Sequence, residues 1–386
     1  MVGNRPMSTA RTPKESLAEA LQRVYPELDA VREAATEPVY LVGGAVRDLL
    51  LGRGRADIDI VVEGDAAALA SQLGADVVSH DRFATAKVSL DGHEVDIATA
   101  RTESYPHPGS LPVVEPAARI EADLARRDFT INTMAIPLRG ESDLIDPHGG
   151  RADLAAGLLR VLHRRSFVDD PTRALRAARY AARFDFGLES ETEALLREAD
   201  LGTVSADRRE AELLRIAGEA EAPRAFSLLA EWGLVDLREG GARLAEDLAG
   251  LLDSPPWGEF APRGRALLAA ALGPGGGEEA LAKASPRRPS EAIALAAGHD
   301  PVELALARTL GAEWLDRYLT EWRQVSLEID GEALIAAGIP QGPAIGRGLD
   351  EALRRKLDGE IAGRVQELDV ALEVALEVAR SGDGVA

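Results

Sequence analysis

The stretch LVGGAVRDLLLGRGRADIDIVVEG, residues 41–64, leaves a chain little freedom. A short apolar run enters Gly43-Gly44, a helix-like segment follows, and a second run alternates Asp57, Ile58, Asp59 and Ile60. The strand period of two puts both carboxylates on one face and both isoleucines on the other. Glycines between a strand and a helix start bring backbone N–H groups together, where they can hold phosphate oxygens closely because no side chain intervenes. Taken alone, Asp-x-Asp better suits the solvated face of an edge strand. With Gly44 and Asp48 ahead of it in strand–turn–helix–strand order, the functional reading overtakes that one. Two carboxylates held so close repel one another, and a divalent cation is the usual relief.

Strands are also expected in PVYLVGG, FATAKVSL and HEVDIATA, the last two joined by a two-residue turn at Asp91-Gly92. DAAALASQLG and residues 14–35 have helical spacing, so an α/β or α+β head of about 38–148 is expected. In HEVDIATA, Asp96 offers a third carboxylate, and Glu94 on the same face competes for the role. After about Arg151 the strand signals cease, and segments such as PTRALRAARYAARF keep a helical period. GPGGGEE (273–279) and SPRRPS (285–290) read as linkers, and IPQGPAIGRG (339–348) punctuates a last helical stretch.

At 386 residues the chain suits two or three packed units, at roughly 100–200 residues each. An apolar share of 46% and a mean hydropathy of -0.10 are those of a globular protein. There is no cysteine, which excludes disulfides, thiolate metal sites and a cysteine nucleophile. The N-terminal sequence has no apolar stretch of signal-peptide length, so an uncleaved cytoplasmic protein without a membrane span is expected, with Met7 as an alternative start. A net charge of -21 argues against non-specific coating of nucleic acid. From Arg119 to Arg183, however, twelve arginines stand against nine acids, so a polyanion would have to bind there. Four lysines against forty arginines suit bidentate phosphate recognition, and equally a GC-rich genome. No P-loop or dinucleotide fingerprint is present.

Four motifs in one order, GGAVRDLLLGRGRADIDIVVEG, RRDFTINTMA, DPHGGRADLAAGLLR and DDPTRALRAARYAARFDF, are joined by TVSADRREAELLRI near 203–216. Densely over about 40–190, the sequence resembles the class II (bacterial and eukaryotic) tRNA nucleotidyltransferase and poly(A) polymerase family. That resemblance implies an α+β fold: a DNA polymerase β-like nucleotidyltransferase head, a small mixed sheet with helices, followed by an all-α neck, body and tail. Mapped onto this chain, 1–37 is an N-terminal helical extension, 38–148 the catalytic head, 149–270 the neck and body for base recognition and RNA binding, and 271–386 a tail for tRNA binding.

The resemblance further implies two Mg²⁺ ions on Asp57 and Asp59, with Asp96 matching the third strand carboxylate. CTP and ATP would be the substrates, and the tRNA 3′ end in its acceptor region the partner, with no role for DNA. Nucleotide contacts are implied for Gly43, Gly44, Arg47 and Asp48, and for Arg126, Arg127, Asp128 and Asn132 near sugar and triphosphate. Asp170 and Arg173, at helical spacing, would read the base edge, with Arg176 and Arg179 as further nucleotide contacts. One departure is visible: Asp169 stands where Glu is common. DPHGG would be a head–neck hinge, and 99–116, proline-rich and too irregular for a helix, would include a flexible element linked to the switch from C to A addition. Full CCA addition leads over CC-only or A-only addition. Poly(A) polymerase is disfavoured by the lack of an extended basic arm, and a non-catalytic RNA-binding relative by the intact Asp57, Asp59, Asp170 and Arg173. Some relatives carry an HD phosphohydrolase domain; here only His299 lies beyond residue 163, so no His/Asp metal cluster is expected there.

Overall fold

The structure, a computed structural model, describes residues 16–74, 78–80, 85–141 and 143–382. Met7, the first two residues of the expected 14–35 helix and the start of FATAKVSL lie outside the described residues. The chain divides into two units, one of residues 1–213 with 228–234 and one of 214–227 with 235–386.

The first unit is built on a mixed sheet of β1 (Val39–Val42), β2 (Ile58–Val62), β3 (Val78–His80), β4 (Thr85–Leu90), β5 (His93–Thr99) and β8 (Ala135–Pro137), in the order β3-β4-β5-β2-β1-β8. Among the described strands of this sheet only β2 and β5 run parallel. The β4–β5 turn falls at Asp91 and Gly92, both at positive φ as a two-residue hairpin demands. Alternation holds in β2: Ile58 and Ile60 enter the large core with Leu41, Val95 and Ile97. Each such side chain contributes about 1.5–3 kcal/mol of burial. Val42 and Val61 face the opposite side and pack on Ile120 and Leu124 of α5 (Ile120–Ala125). Asp59 shares that second face by the strand period.

The large core also takes Leu21 of α1 (Leu17–Val24) and Tyr25 at its C-terminal cap, Leu28 and Val31 of α2 (Leu28–Ala34), and residues of α3 (Gly44–Leu50) and α4 (Ala66–Gln72). Beyond the sheet come α6 (Gly150–Ala156), α7 (Ser166–Asp169) and α8 (Thr172–Phe184). Ala174, Ala177 and Ala181 of α8 are buried in the same core as the strands. Small side chains let this helix approach closely, so the expected boundaries at 37/38 and 148/149 fall inside one unit. The expected boundary at 270/271 falls inside the other.

Two features depart from the sequence reading. Residues 99–116, expected to be too irregular for a helix, hold a two-stranded antiparallel sheet that the sequence reading did not name, β6 (Arg101–Ser104) with β7 (Val113–Pro116). Strand pairing also continues past Arg151, in Leu158–Leu159 with Gly187–Leu188.

The second unit is helical. The linkers are shorter than expected, since helices begin at Gly277, Pro289 and Pro343, the latter two with proline at the first position, where its missing N–H costs nothing. Helices Pro343–Leu357 and Gly363–Gly382 pack together around Ala352, Ala371 and Ala375. Among the described residues, no helix is long and apolar enough to cross a membrane.

Candidate active site

The residues given metal or nucleotide contacts in the sequence analysis, from Gly43 to Arg179 and including Asp96, line one cavity of about 840 Å³ in the first unit, whereas the alternative carboxylate Glu94 does not. Nine arginines and seven acids line it, so the site is cationic although the chain is acidic. Its floor is the second face of the sheet. Its walls are the β1–α3 turn, the segment after α5, and α8.

Asp59 and Asp96 are partners in register across parallel β2 and β5. Burial raises the carboxyl of Asp59 above its ordinary value; Arg127 opposes this, and Asp96 and Asp57 add to it. Asp57, just ahead of β2, is exposed. Glu94 is absent from the cavity wall, and the Lys87 ammonium lies 3.5 Å from it and 3.1 Å from Asp96. Among the described residues, no three acidic or histidine side chains cluster tightly enough to enclose an ion alone. A crowded carboxylate pair with open space beside it fits Mg²⁺, which is held by one or two carboxylates while water and substrate phosphates complete the shell.

Gly43 closes the β1–α3 turn at φ 66, and a Cβ there would lie 2.8 Å from an Arg127 guanidinium nitrogen. Arg126 and Arg127 are anchored from behind by Asp123 at 2.8 and 3.0 Å. Asp123 is fully buried, yet the two guanidiniums outweigh its desolvation and hold its carboxyl below the ordinary value. Arg126 also reaches Glu103 at 2.8 Å. Glu103 accepts the Tyr105 hydroxyl at 3.1 Å, and burial with this neighbour pushes that phenol up to about 12.

A second chain of contacts runs through the buried polar residues. Arg47 donates to Asn132 at 2.6 Å, Asn132 donates to Asp128 at 2.9 Å, and Asp128 accepts from Arg176 at 2.8 Å. Asp128 thus lines the cavity while bound by two internal partners, Asn132 and Arg176. Asp48 likewise accepts from Arg47 at 2.8 Å. The Arg47 guanidinium lies over Phe184 at 4.4 Å and Tyr180 at 5.4 Å, a cation–π seat that fixes its direction. Arg176 and Arg179 also lie over Tyr180, at 5.4 and 5.1 Å.

Asp170 and Arg173 stand at the start of α8. One Asp170 oxygen accepts the Thr172 N–H at 3.1 Å, its hydroxyl at 2.6 Å and Arg208 at 2.9 Å. The same Arg208 donates to the Gly109 carbonyl at 2.7 Å, tying the β6–β7 connection to Asp170. Gly109 has φ 68, and a Cβ there would meet the Thr203 carbonyl at 2.6 Å. Sequence reasoning missed Arg208, Asp123, Glu103 and Tyr105. Arg208 lay within TVSADRREAELLRI, and Asp123 stands four residues before Arg127, so a signal existed for both.

This sheet and cavity are those of a nucleotidyltransferase fold. The family model for the Poly A polymerase head domain matches residues 39–160. An A-adding tRNA nucleotidyltransferase of Geobacter sulfurreducens is 34% identical over 90% of this chain and 46% of its own length. A CC-adding tRNA nucleotidyltransferase of Deinococcus radiodurans is 34% identical over 85% of this chain and 87% of its own. The solved Thermotoga maritima CCA-adding enzyme complexed with tRNA_CCA covers 94% of this chain and 98% of its own, at 31% identity and TM-score 0.71. Structures of a CCA-adding enzyme with ATP (31% identity, 94% of this chain, 98% of that one) and with CTP (32%, 93% and 97%) both have TM-score 0.75. The chain belongs to the class II tRNA nucleotidyltransferase and poly(A) polymerase family. It spans less than half the length of the A-adding relatives it matches.

Proposed function

We propose that the protein adds CMP and AMP, from CTP and ATP, to the 3′ end of tRNA without a nucleic-acid template. The observation that carries this is a single cavity holding both a crowded carboxylate pair and an acceptor–donor pair, Asp170 and Arg173, at its far wall. Arg47, Arg126, Arg127 and Arg176 are held by internal partners and bind the triphosphate. Asp57 and Asp59 would hold two Mg²⁺ ions, which would supply a more nucleophilic 3′-oxygen and neutralise the departing pyrophosphate. Asp96, level with Asp59, completes the carboxylate floor beneath the 3′-hydroxyl. The new bond forms between the 3′-oxygen and the α-phosphorus as the bond to pyrophosphate breaks in line.

Cytosine and adenine both present an amino donor beside a ring-nitrogen acceptor, which suits Asp170 as acceptor and Arg173 as donor. Uracil and guanine present the reverse order. In functional terms 38–148 is the catalytic head, 149–270 reads the base and contacts RNA, and 271–386 binds tRNA.

Partial addition is the second reading, favoured by the A-adding and CC-adding relatives at 34% identity. Replacing Asp57 and Asp59 by alanine tests the enzymatic reading: labelled nucleotide incorporation into tRNA is lost, whereas a non-catalytic RNA binder would lose no measurable binding.

A further inference from the structure

Ser166 is the first residue of α7, fully buried, and no part of the cavity wall. It touches both members of the Asp170–Arg173 pair. Its hydroxyl oxygen accepts from Arg173 Nη1 at 2.8 Å, and its carbonyl accepts the Asp170 backbone N–H at 3.2 Å. The other terminal nitrogen of Arg173 donates to the Arg126 carbonyl at 2.7 Å. The guanidinium is therefore gripped at two points, one on the segment after α5 and one on Ser166. With Arg208 and Thr172 on one Asp170 oxygen, the other oxygen is the one left to face a base.

We propose that Ser166 is the positioning residue that sets base selectivity, by fixing the direction of the Arg173 donors relative to the Asp170 acceptor. The inference rests on the nucleotidyl-transfer reading above. A donor and an acceptor in fixed order accept the edge shared by cytosine and adenine, and leave both groups unpaired against uracil or guanine. Without the serine oxygen, Arg173 keeps only its Arg126 anchor and can pivot about it. The pivot loosens the order that rejects the wrong bases. It does not move the carboxylate floor, which sits on β2 and β5.

The test compares Ser166→Ala and Ser166→Thr with the unaltered protein, measuring kcat and KM for CTP, ATP, UTP and GTP on tRNA lacking its 3′ end. In Ser166→Ala, the ratio of kcat/KM for the favoured nucleotides to that for UTP and GTP falls by about tenfold or more, chiefly through KM, since small misplacements of a recognition group are costly. Ser166→Thr, which keeps the oxygen, restores the ratio. Should the alanine variant not fold, Ser166→Cys carries the test: the thiol fills the site but is a weak acceptor, and the ratio falls likewise. An unchanged ratio in the folded variants, or an equal loss for all four nucleotides, overturns the role of Ser166 alone. No incorporation by the unaltered protein overturns the nucleotidyl-transfer reading instead.

Discussion

Asp59 and Asp96 sit level with one another on adjacent parallel strands, and nothing in the linear sequence sets them side by side. Burial and the nearness of Asp96 and Asp57 make the ionised form of Asp59 costly, with Arg127 as the opposing charge. On the proposed reading, a divalent cation relieves this repulsion.

Asp59→Asn is accordingly expected to lower kcat by roughly a thousandfold or more, the several kcal/mol that metal-borne charge stabilisation supplies. Asp96→Asn should cost a large part of the same amount. Glu94→Gln, outside the cavity, should change kcat by less than about threefold, since surface substitutions are close to neutral. Single-turnover incorporation with each variant, together with Mn²⁺ binding followed by electron paramagnetic resonance, separates the three.

Asp128 governs an acid-sensitive contribution to stability. Burial would raise its carboxyl, but Arg176 and Asn132 prevail and hold it well below the ordinary 3.8. A carboxyl depressed in the folded state stabilises fully above its unfolded value and loses that contribution as pH falls from about 4 toward the folded value. Denaturant unfolding of Asp128→Asn should show a loss of about 3 kcal/mol at pH 7 and a flatter decline in acid, because the variant leaves Arg176 without its buried partner.

Gly109→Ala tests the seat of the β6–β7 connection. The left-handed φ and the 2.6 Å approach to the Thr203 carbonyl leave no room for a methyl group. A cost of about 1–3 kcal/mol is expected, read as a lowered Tm. Arg208→Ala removes two hydrogen bonds, to Gly109 and to Asp170, and is expected to lower kcat/KM for both CTP and ATP.

In the tail, Glu367 is fully buried, with Lys356 at 2.6 Å and the Glu328 N–H at 2.6 Å. Lys356→Met should destabilise the second unit by about 3–5 kcal/mol, since it strands a buried charge. Adding Glu367→Gln to the same chain should recover part of the loss, which calorimetry of the single and double variants measures.

The local elements were legible. Alternation marked β2, two adjacent turn residues marked the β4–β5 hairpin, and Ala/Arg periodicity marked α8. The strand pair β6–β7 was hidden because TARTESY alternates polar with polar and the prolines of 105–112 mask its pairing. Cavity residues at positions matched by the family motifs were found, whereas Arg55 and Arg183, in the same stretches, were not named and line the cavity too. Arg208, which holds Asp170 from outside the cavity wall, was also missed: it lies 38 residues beyond Asp170 and meets it only because the chain folds back. The choice between Asp96 and Glu94 as the wall residue also needed the β2–β5 register, which a strand period alone cannot provide.

The most direct test of the central claim supplies purified protein and Mg²⁺ with tRNAs ending at the discriminator base, at C and at CC, each with labelled CTP or ATP. Ordered completion of CCA from all three ends is the result predicted. Incorporation of CTP alone, or of ATP on the CC-ended tRNA alone, would assign partial addition in its place, and no incorporation on any end would contradict nucleotidyl transfer altogether.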